Sequence, residues 1–408
     1  MAAKTIIVLA TLDTKGIEAQ YLREQIAQAG DRALIVDVGV INRPATRADI
    51  PRERVAEAGG SSLAALVAKP DREVAAPVMA AGARRLVLEL VERDEAHGIV
   101  AMGGTQGTTL ATSVMRTLPY GFPKVMVSTM ASGNVAPWVD IKDITMMFSV
   151  TDILGLNPLT RKILANAAAA VCGMANSPVR LEPAERPLVG ITTVGITTAG
   201  AMKAKQVLED AGYETIVFHA VGPGGRAMEQ LVREGVIGAV LDYSIIEVSN
   251  HLFHALLNGG PERLTVAGSL GVPQVLCPGA VEVLVFNEPE TVPERYCHRT
   301  LIRHSPQITD VRLNGDEMAE LGREVARRLR QTKKDAVFMI PARGYDSYAV
   351  AGGGFHDPEA DARFVAELKA GLPRNIRIVE RPTHIDDPAF ATEAAETLIR
   401  LIQQRATG

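Results

Sequence analysis

Apolar residues recur along this chain in short runs, each followed by small polar residues and then by a segment of helical spacing. Thr5 to Ala10 (TIIVLA) is a β-branched run and predicts a buried first strand. It ends in Thr11-Leu12-Asp13-Thr14-Lys15-Gly16. Ile17 to Ala29 then has helical spacing, and Gly30 stops it. Ala33 to Val38 predicts the second strand, so the opening reads as a right-handed βαβ unit. Asn42 to Ser61, rich in Arg, Pro and Asp, reads as an excursion with a helix start near Asp49. Ala75 to Arg93 predicts a long helix, and His97 to Met102 the third strand. Between that strand and a helix over Leu110 to Leu118 lies Gly103-Gly104-Thr105-Gln106-Gly107-Thr108-Thr109. Lys124 to Ser128 predicts a strand ending in Thr129-Met130-Ala131-Ser132-Gly133. Ile144 to Val150 predicts a fifth strand, and Leu159 to Met174 an Ala-rich helix suited to packing on another domain.

Asn176 to Pro187, with three prolines and mixed charges, reads as a linker. The pattern then restarts. Strands are predicted at Leu188 to Thr192, Thr215 to His219, Gly238 to Leu241, Gln274 to Cys277, Ala336 to Ile340 and Ile376 to Glu380. Helices follow Gly200 and Gly225, and Ala389 to Gln404 closes the chain. The expected fold class is α/β: two doubly wound parallel-sheet domains, residues 1–180 and 187–408, with an interdomain cleft. Ligands of such sheets bind outside the carboxyl ends of the strands, where the Gly- and Thr-rich turns lie.

Composition narrows the function. The length of 408 residues suits two domains, and 47% hydrophobic residues supply two cores. A net charge of -4 leaves no basic footprint for nucleic acid, and Trp138 with seven tyrosines offers no stacking platform. Cys172, Cys277 and Cys297 are too scattered for a disulfide framework or a metal knuckle, which suits a cytoplasmic protein. The N-terminal apolar run is too short for a signal peptide, and no stretch approaches the ~20 apolar residues of a membrane span.

Four strand-to-helix turns have a composition that suits phosphate: Thr11 to Lys15, Gly103 to Thr109, Thr192 to Gly200 and Gly222 to Arg226. Glycines let backbone N–H groups approach an anion, and a helix N-terminus adds positive potential. None is a Walker A loop or a dinucleotide fingerprint. The alternative for each is a tight turn with Thr caps and no ligand. Arg226, a cation at a helix start, opposes the helix dipole unless an anion sits beside it. Asp242 ends a predicted strand, where a carboxylate holds a metal or a ribose hydroxyl, or caps a turn. Glu247, His251 and His254 share a helical face, either as a metal pair or as a solvated surface. His356 and His384 each precede an Asp-Pro turn and are candidate acid–base groups, or neighbours of helix caps. Ser132 and Ser347 lie outside any nucleophile elbow.

The order of motifs resembles one family. Leu9 to Gly16, Met102 to Thr108, PKVMVSTMASG (123–133), DITMMFSVTDILGLN (143–157), LANAAAAVCGM (164–174), FHAVGPGGRAME (218–229), TVPER (291–295), FHDPEAD (355–361) and HIDDPAF (384–390) carry the likeness. The chain is identified as a member of the bacterial branch of the Tm-one-like ATP-binding domain family, uncharacterised protein family 0261. A plant branch of that family includes the tomato tobamovirus-resistance protein. The resemblance implies two Rossmann-like domains, ATP with Mg²⁺ at the first domain's loops, and homodimers. By motif, the nucleotide role falls on Thr11, Asp13, Thr14, Lys15, Gly103, Gly104, Thr105, Gln106, Gly107, Thr108, Ser128, Ser132 and Gly133. No metal ligand is assigned. Two stretches depart from the family pattern. Tyr243-Ser244-Ile245-Ile246 replaces a run of threonines before Glu247, and Pro341 to Ser347 replaces a Pro-Glu-Gly-Gly-Val-Ser segment.

Three functions are consistent with the sequence. The first is an ATP- and Mg²⁺-dependent enzyme acting on a small anionic metabolite near Arg226, Asp242, Arg343, His356 and His384, by positioning and electrostatic clamping. The second is a non-catalytic nucleotide-binding regulator. The third is a nucleotide-independent hydrolase or lyase using His/Asp groups.

Overall fold

The computed structural model describes residues 2–68, 72–179 and 186–407. The chain divides into two compact units, Met1–Glu182 and Pro183–Gly408. Residues 180–185 of the expected linker lie outside the described residues.

The first unit runs β1 (Thr5–Ala10), α1 (Leu12–Gln28), β2 (Arg32–Asp37), α2 (Arg52–Ala58), α3 (Leu63–Ala68), α4 (Arg72–Glu92) and β3 (Gly98–Gly103). It continues with α5 (Thr105–Met115), β4 (Lys124–Ser128), α6 (Ala136–Val139), β5 (Thr145–Phe148) and α7 (Pro158–Ala175). Its five strands form a parallel sheet of order β2-β1-β3-β4-β5. Successive side chains of a strand face opposite ways. Ile7 and Leu9 therefore pack with residues of α2, α4 and α5, while Ile6, Val8 and Ala10 pack with α1 and α7. Both faces of the sheet are covered, which explains why its strands read as continuous apolar runs rather than alternating ones. The Ala-rich α7, expected against another domain, packs on α1, β3 and β4 of its own unit.

The second unit runs β6 (Leu188–Thr193), α8 (Thr198–Asp210), β7 (Thr215–His219), α9 (Pro223–Arg233), β8 (Ile237–Ser244), α10 (Ile246–Leu252), α11 (Val266–Leu270) and β9 (Gln274–Gly279). Then follow β10 (Val283–Phe286), β11 (Leu301–Ser305), β12 (Ile308–Arg312), α12 (Gly315–Leu329), β13 (Ala336–Pro341), α13 (Pro358–Gly371), β14 (Ile376–Arg381) and α14 (Pro388–Thr407). Its six-stranded sheet, order β14-β13-β9-β8-β6-β7, is parallel throughout. Helices α8 and α14 cover one face, and α9, α11, α12 and α13 the other.

The sequence pattern did not predict a second sheet in this unit, β10-β12-β11, which is antiparallel. Its strands are short, and β11 carries Arg303 and His304 on a largely exposed ladder, so no apolar run marks it. Among the described residues no helix is long and apolar enough to cross a membrane.

Candidate functional site

The order β2-β1-β3-β4-β5 makes the gap between β1 and β3 a topological switch point. From β1 the chain turns one way to β2 and the other way to β3. The helices that follow β1 and β3 leave on opposite faces of the sheet. Parallel pairing sets Leu9 opposite Ala101, which brings Thr11 and Gly103 to the same level at the carboxyl edge.

The Gly-Thr stretch after β3 is not a loop. Gly103 is the last strand residue, Gly104 is the helix N-cap, and Thr105 to Thr109 already form the first turns of α5. Gly and Thr are weak helix formers, which favours a loop on propensity. Yet a first turn has no i−4 partners to lose, so they are tolerated there. A side chain on Gly103 would bring its Cβ within 2.9 Å of the Gly107 Cα, so the turn from strand to helix is tight. Gly104 has extended dihedrals and no side-chain cap. Thr105 and Gln106 are exposed, and their N–H groups, with that of Gly107, have no acceptor among the described residues.

Two residues expected to face a ligand turn inward instead. The Thr108 and Ser128 hydroxyls are fully buried and lie 2.7 Å apart, and Ser128 Oγ also accepts the Met130 N–H at 3.0 Å. They tie α5 to the turn after β4 and so position the site without lining it. Ser132 and Gly133 are exposed in that turn.

Around the start of α1, the Thr11 and Thr14 hydroxyls are 2.8 Å apart. Asp13 Oδ2 accepts the N–H groups of Ile41 at 2.9 Å and Asn42 at 3.3 Å, fixing the segment after β2. Lys15 has non-helical dihedrals inside α1, and its ammonium donates to the Ile153 carbonyl. Asp37, at the end of β2, was not singled out in the sequence. Its Oδ1 accepts the Leu12 N–H at 3.0 Å, filling the first position of α1, and the Gly39 N–H at 2.8 Å. Burial raises its pKa, opposed by those two N–H groups and by Arg52. The signal was present: a carboxylate closing a buried run, as at Asp242.

In the second unit, Asp242 lies inside β8 and is held from two sides. Arg263 grips both of its oxygens, and the Thr192 hydroxyl donates to Oδ1 at 2.9 Å. Arg263 also donates to Glu247 at 2.7 Å and reaches Glu229 at 3.3 Å, and all four side chains are buried. One guanidinium does not balance three carboxylates, and burial pushes Glu229 up to about 7. Glu247 is therefore buried rather than on a solvated face, and N–H donors take both of its carboxyl oxygens. Its Oε1 accepts the Gly222 N–H at 2.6 Å and the Gly225 N–H at 3.0 Å, so it sits in the cradle at the start of α9. A Cβ on Gly225 would fall 1.9 Å from Glu247 Oε2.

The start of α8 is filled the same way. Asp386 Oδ1 accepts the Gly200 N–H at 2.7 Å. Above both helix starts, β10 contributes Val283 and Val285 to an apolar cluster with Val194, Ala220, Ile246, Ala280 and Phe355, which follow the strands of the parallel sheet. This packing closes the carboxyl edge of the second sheet.

Of the four expected catalytic residues, three are placed by contacts of their own. Asp242 is committed to Arg263. The His356 Nδ1–H donates to the Ala349 carbonyl at 3.0 Å, and His384 is half-buried near Asp386. Arg226 occupies the first turn of α9. His251 Nδ1 lies 2.8 Å from Asn258 Oδ1 while His254 is exposed. Among the described residues no group of three or more His, Cys, Asp or Glu is placed to hold a metal.

A second acidic cluster escaped sequence reasoning. Glu282 is fully buried, and neither carboxyl oxygen has a partner among the described residues. Burial drives its pKa well up, and the charge of Asp346 adds to this. Burial also pushes Asp346 up to about 7, although its Oδ1 accepts the N–H groups of Tyr348 at 2.6 Å and Ala349 at 2.8 Å.

Of the four phosphate-suited turns, three carry a carboxylate from their own unit and the turn opening α5 carries none among the described residues. Comparison with known proteins matches both halves. The profile of the uncharacterised protein family UPF0261 N-terminal domain matches residues 4–180, and that of its C-terminal domain residues 186–402. The chain belongs to the UPF0261 family. It is 41% identical to a UPF0261 protein of Clostridium tetani over 98% of this chain and 100% of that one. It is 42% identical to UPF0261 protein RA0729 of Rhizobium meliloti over 96% of this chain and 97% of that one. It is also 33% identical to the ToMV resistance protein Tm-1(GCR237) of Solanum lycopersicum, over 74% of this chain and 41% of the tomato protein. The N-terminal UPF0261 domain thus holds the open start of α5 beside the filled start of α1, and the C-terminal domain holds two filled starts.

Proposed function

We propose that this UPF0261 protein binds the polyphosphate of a nucleotide, ATP with its Mg²⁺, at the start of α5. The observation that carries this reading is the contrast among the four turns. Asp37 occupies the start of α1, Asp386 that of α8 and Glu247 that of α9, while the N–H groups of Thr105, Gln106 and Gly107 stay open. A helix N-terminus at a switch point, approached without a side chain at Gly103 and Gly104, suits a phosphate. Thr11, Thr14 and Lys15 stand at the same level from β1. Among the described residues no group of three or more His, Cys, Asp or Glu is placed to hold a metal, so Mg²⁺ would arrive on the phosphates, as it does in most nucleotide sites.

Two uses of the nucleotide remain in play. The burial of Asp242 under Arg263 removes one acid from the set available for catalysis. This favours a nucleotide-binding regulator, and a relative named as a resistance protein agrees with that. Arg226, His356 and His384 remain the candidates for an enzyme acting on a small anionic metabolite. Titration calorimetry with ATP and Mg²⁺ tests the binding, and phosphate release across an organic-acid panel separates the two uses. Absence of heat at millimolar ATP overturns the nucleotide reading. Heat without turnover on any acid leaves the regulator.

A further inference from the structure

The segment from β5 to α7 is held to α1 by two side chains rooted on one stretch of that helix. The Lys15 ammonium donates to the Ile153 carbonyl, and Glu18 Oε1 accepts the Gly155 N–H at 2.7 Å. Between β5 and the first tether the backbone is strained. Val150, a β-branched residue, has φ +62°, and the Thr151 N–H bonds back to the Ser149 carbonyl at 2.6 Å across it. That is a γ-turn of positive φ, the rare and strained form, and such strain persists only where its surroundings hold it. Val150 and Leu154 lie exposed on this segment, 59% and 74% accessible, while Ile153 between them is buried in the core with residues of α1 and α7, so apolar packing holds the segment at Ile153 and not at Val150. The Thr151 hydroxyl is buried with no partner among the described residues. Lys15 itself departs from helical geometry at φ −128°, in the turn that faces the switch point.

We infer that Lys15 is a latch that an anion opens: polyphosphate at the start of α5 draws the ammonium from the Ile153 carbonyl and releases residues 150–152, upstream of the buried Ile153 side chain. This rests on the nucleotide reading above. A phosphate oxygen carries a full negative charge and a carbonyl oxygen only a partial one, so Coulomb attraction draws the ammonium toward the ligand. Once released, Val150 leaves its left-handed conformation, while the buried Ile153 side chain and Glu18 at Gly155 keep the far end attached. The result is a turn whose exposed Val150 side chain responds to occupancy of the site, a means of reporting the bound anion to a partner.

Hydrogen exchange of the full chain, with inorganic pyrophosphate as the probe and calorimetry alongside, tests the latch. Saturating pyrophosphate is expected to speed exchange of the Thr151–Ile153 amides by up to about tenfold, the loss of one net hydrogen bond. Lys15→Met is expected to show the fast rate without ligand and no further response. Gly104→Asp, which places a carboxylate at the start of α5, is expected to keep the slow rate with and without pyrophosphate. Binding heat with unchanged exchange at these amides overturns the latch and leaves the nucleotide reading standing. A loop response that survives in Gly104→Asp also overturns it. No heat from either pyrophosphate or Mg-ATP overturns the reading on which the latch rests.

Discussion

The Glu247 carboxylate accepts the N–H of Gly225 at 3.0 Å, from 22 residues further along the chain. An internal anion thus stands where the Gly-Pro-Gly-Gly turn resembles a phosphate cradle. Its second oxygen holds the Nε of buried Arg263. Glu247→Ala leaves the Gly222 and Gly225 N–H groups and that Nε unpaired in the interior. A loss of at least about 3 kcal/mol in urea unfolding of the second unit is expected. A loss within the range of surface substitutions would show that Asp242 and Glu229 suffice for Arg263.

Gly104→Asp does to the first unit what Glu247 does to the second. A Cβ at Gly104 meets nothing nearer than the Thr129 hydroxyl at 3.7 Å, so the fold accepts it. Aspartate is a somewhat better N-cap than glycine, by a few tenths of a kcal/mol, so the melting temperature holds or rises slightly. ATP affinity measured by calorimetry is expected to fall by at least about tenfold, because like charge meets the phosphate. Unchanged affinity would place the nucleotide elsewhere.

Gly103→Ala tests the strand-to-helix turn. The new methyl would lie 2.9 Å from the Gly107 Cα, closer than any ordinary contact, and the obstacle is backbone. Overpacking of this kind costs about 1–3 kcal/mol. Thermal unfolding reads the loss, and Gly107 backbone shifts accompany it. The matched Gly133→Ala variant, with open space at its Cβ, is expected to unfold at the wild-type temperature.

The buried pair Glu282 and Asp346 gives the second unit a pH dependence of unusual sign. Asp346 titrates near 3.8 when unfolded and is pushed up to about 7 by burial in the folded protein. Between those values the native state holds a proton that the unfolded chain has released. Stability is therefore full below pH about 4 from this group and declines as pH rises toward 7. Glu282, raised in the same direction, extends the decline upward. Each kcal/mol lost lowers the melting temperature by about 2–4 °C for a unit of this size. Differential scanning calorimetry of Glu282→Gln and Asp346→Asn should show flatter profiles over pH 4 to 8; an unchanged slope would assign the effect to other carboxyls.

Much of the architecture was legible in the chain. Strands β1 and β4 fall on the predicted residues because apolar runs buried on both faces carry a strong signal, and β7, at the sheet edge, does so through its β-branched residues. The antiparallel sheet β10-β12-β11 was not, since Leu301 to Ser305 is short and half polar, and its hairpin partner β12 pairs on the other side with β10 from an earlier segment. Helix starts were displaced where Gly and Thr occupy first turns, as at Thr105, because propensity there is decided by tertiary packing. Asp37 and Glu18 were passed over because their acceptors are used by N–H groups at Leu12 and Gly155, far away in sequence.

Sequence alone determined the alternation of strand and helix, its restart after residue 187, and the family motifs, because these depend on the local spacing of apolar residues and glycines. It offered four turns of similar composition for an anion and gave no means of ranking them. Tertiary structure decided among them. The carboxylates that fill three of the turns, Asp37, Asp386 and Glu247, come from 25, 186 and 22 residues away. Whether a helix N-terminus is open depends on what the fold brings to it through space, and local composition does not encode that.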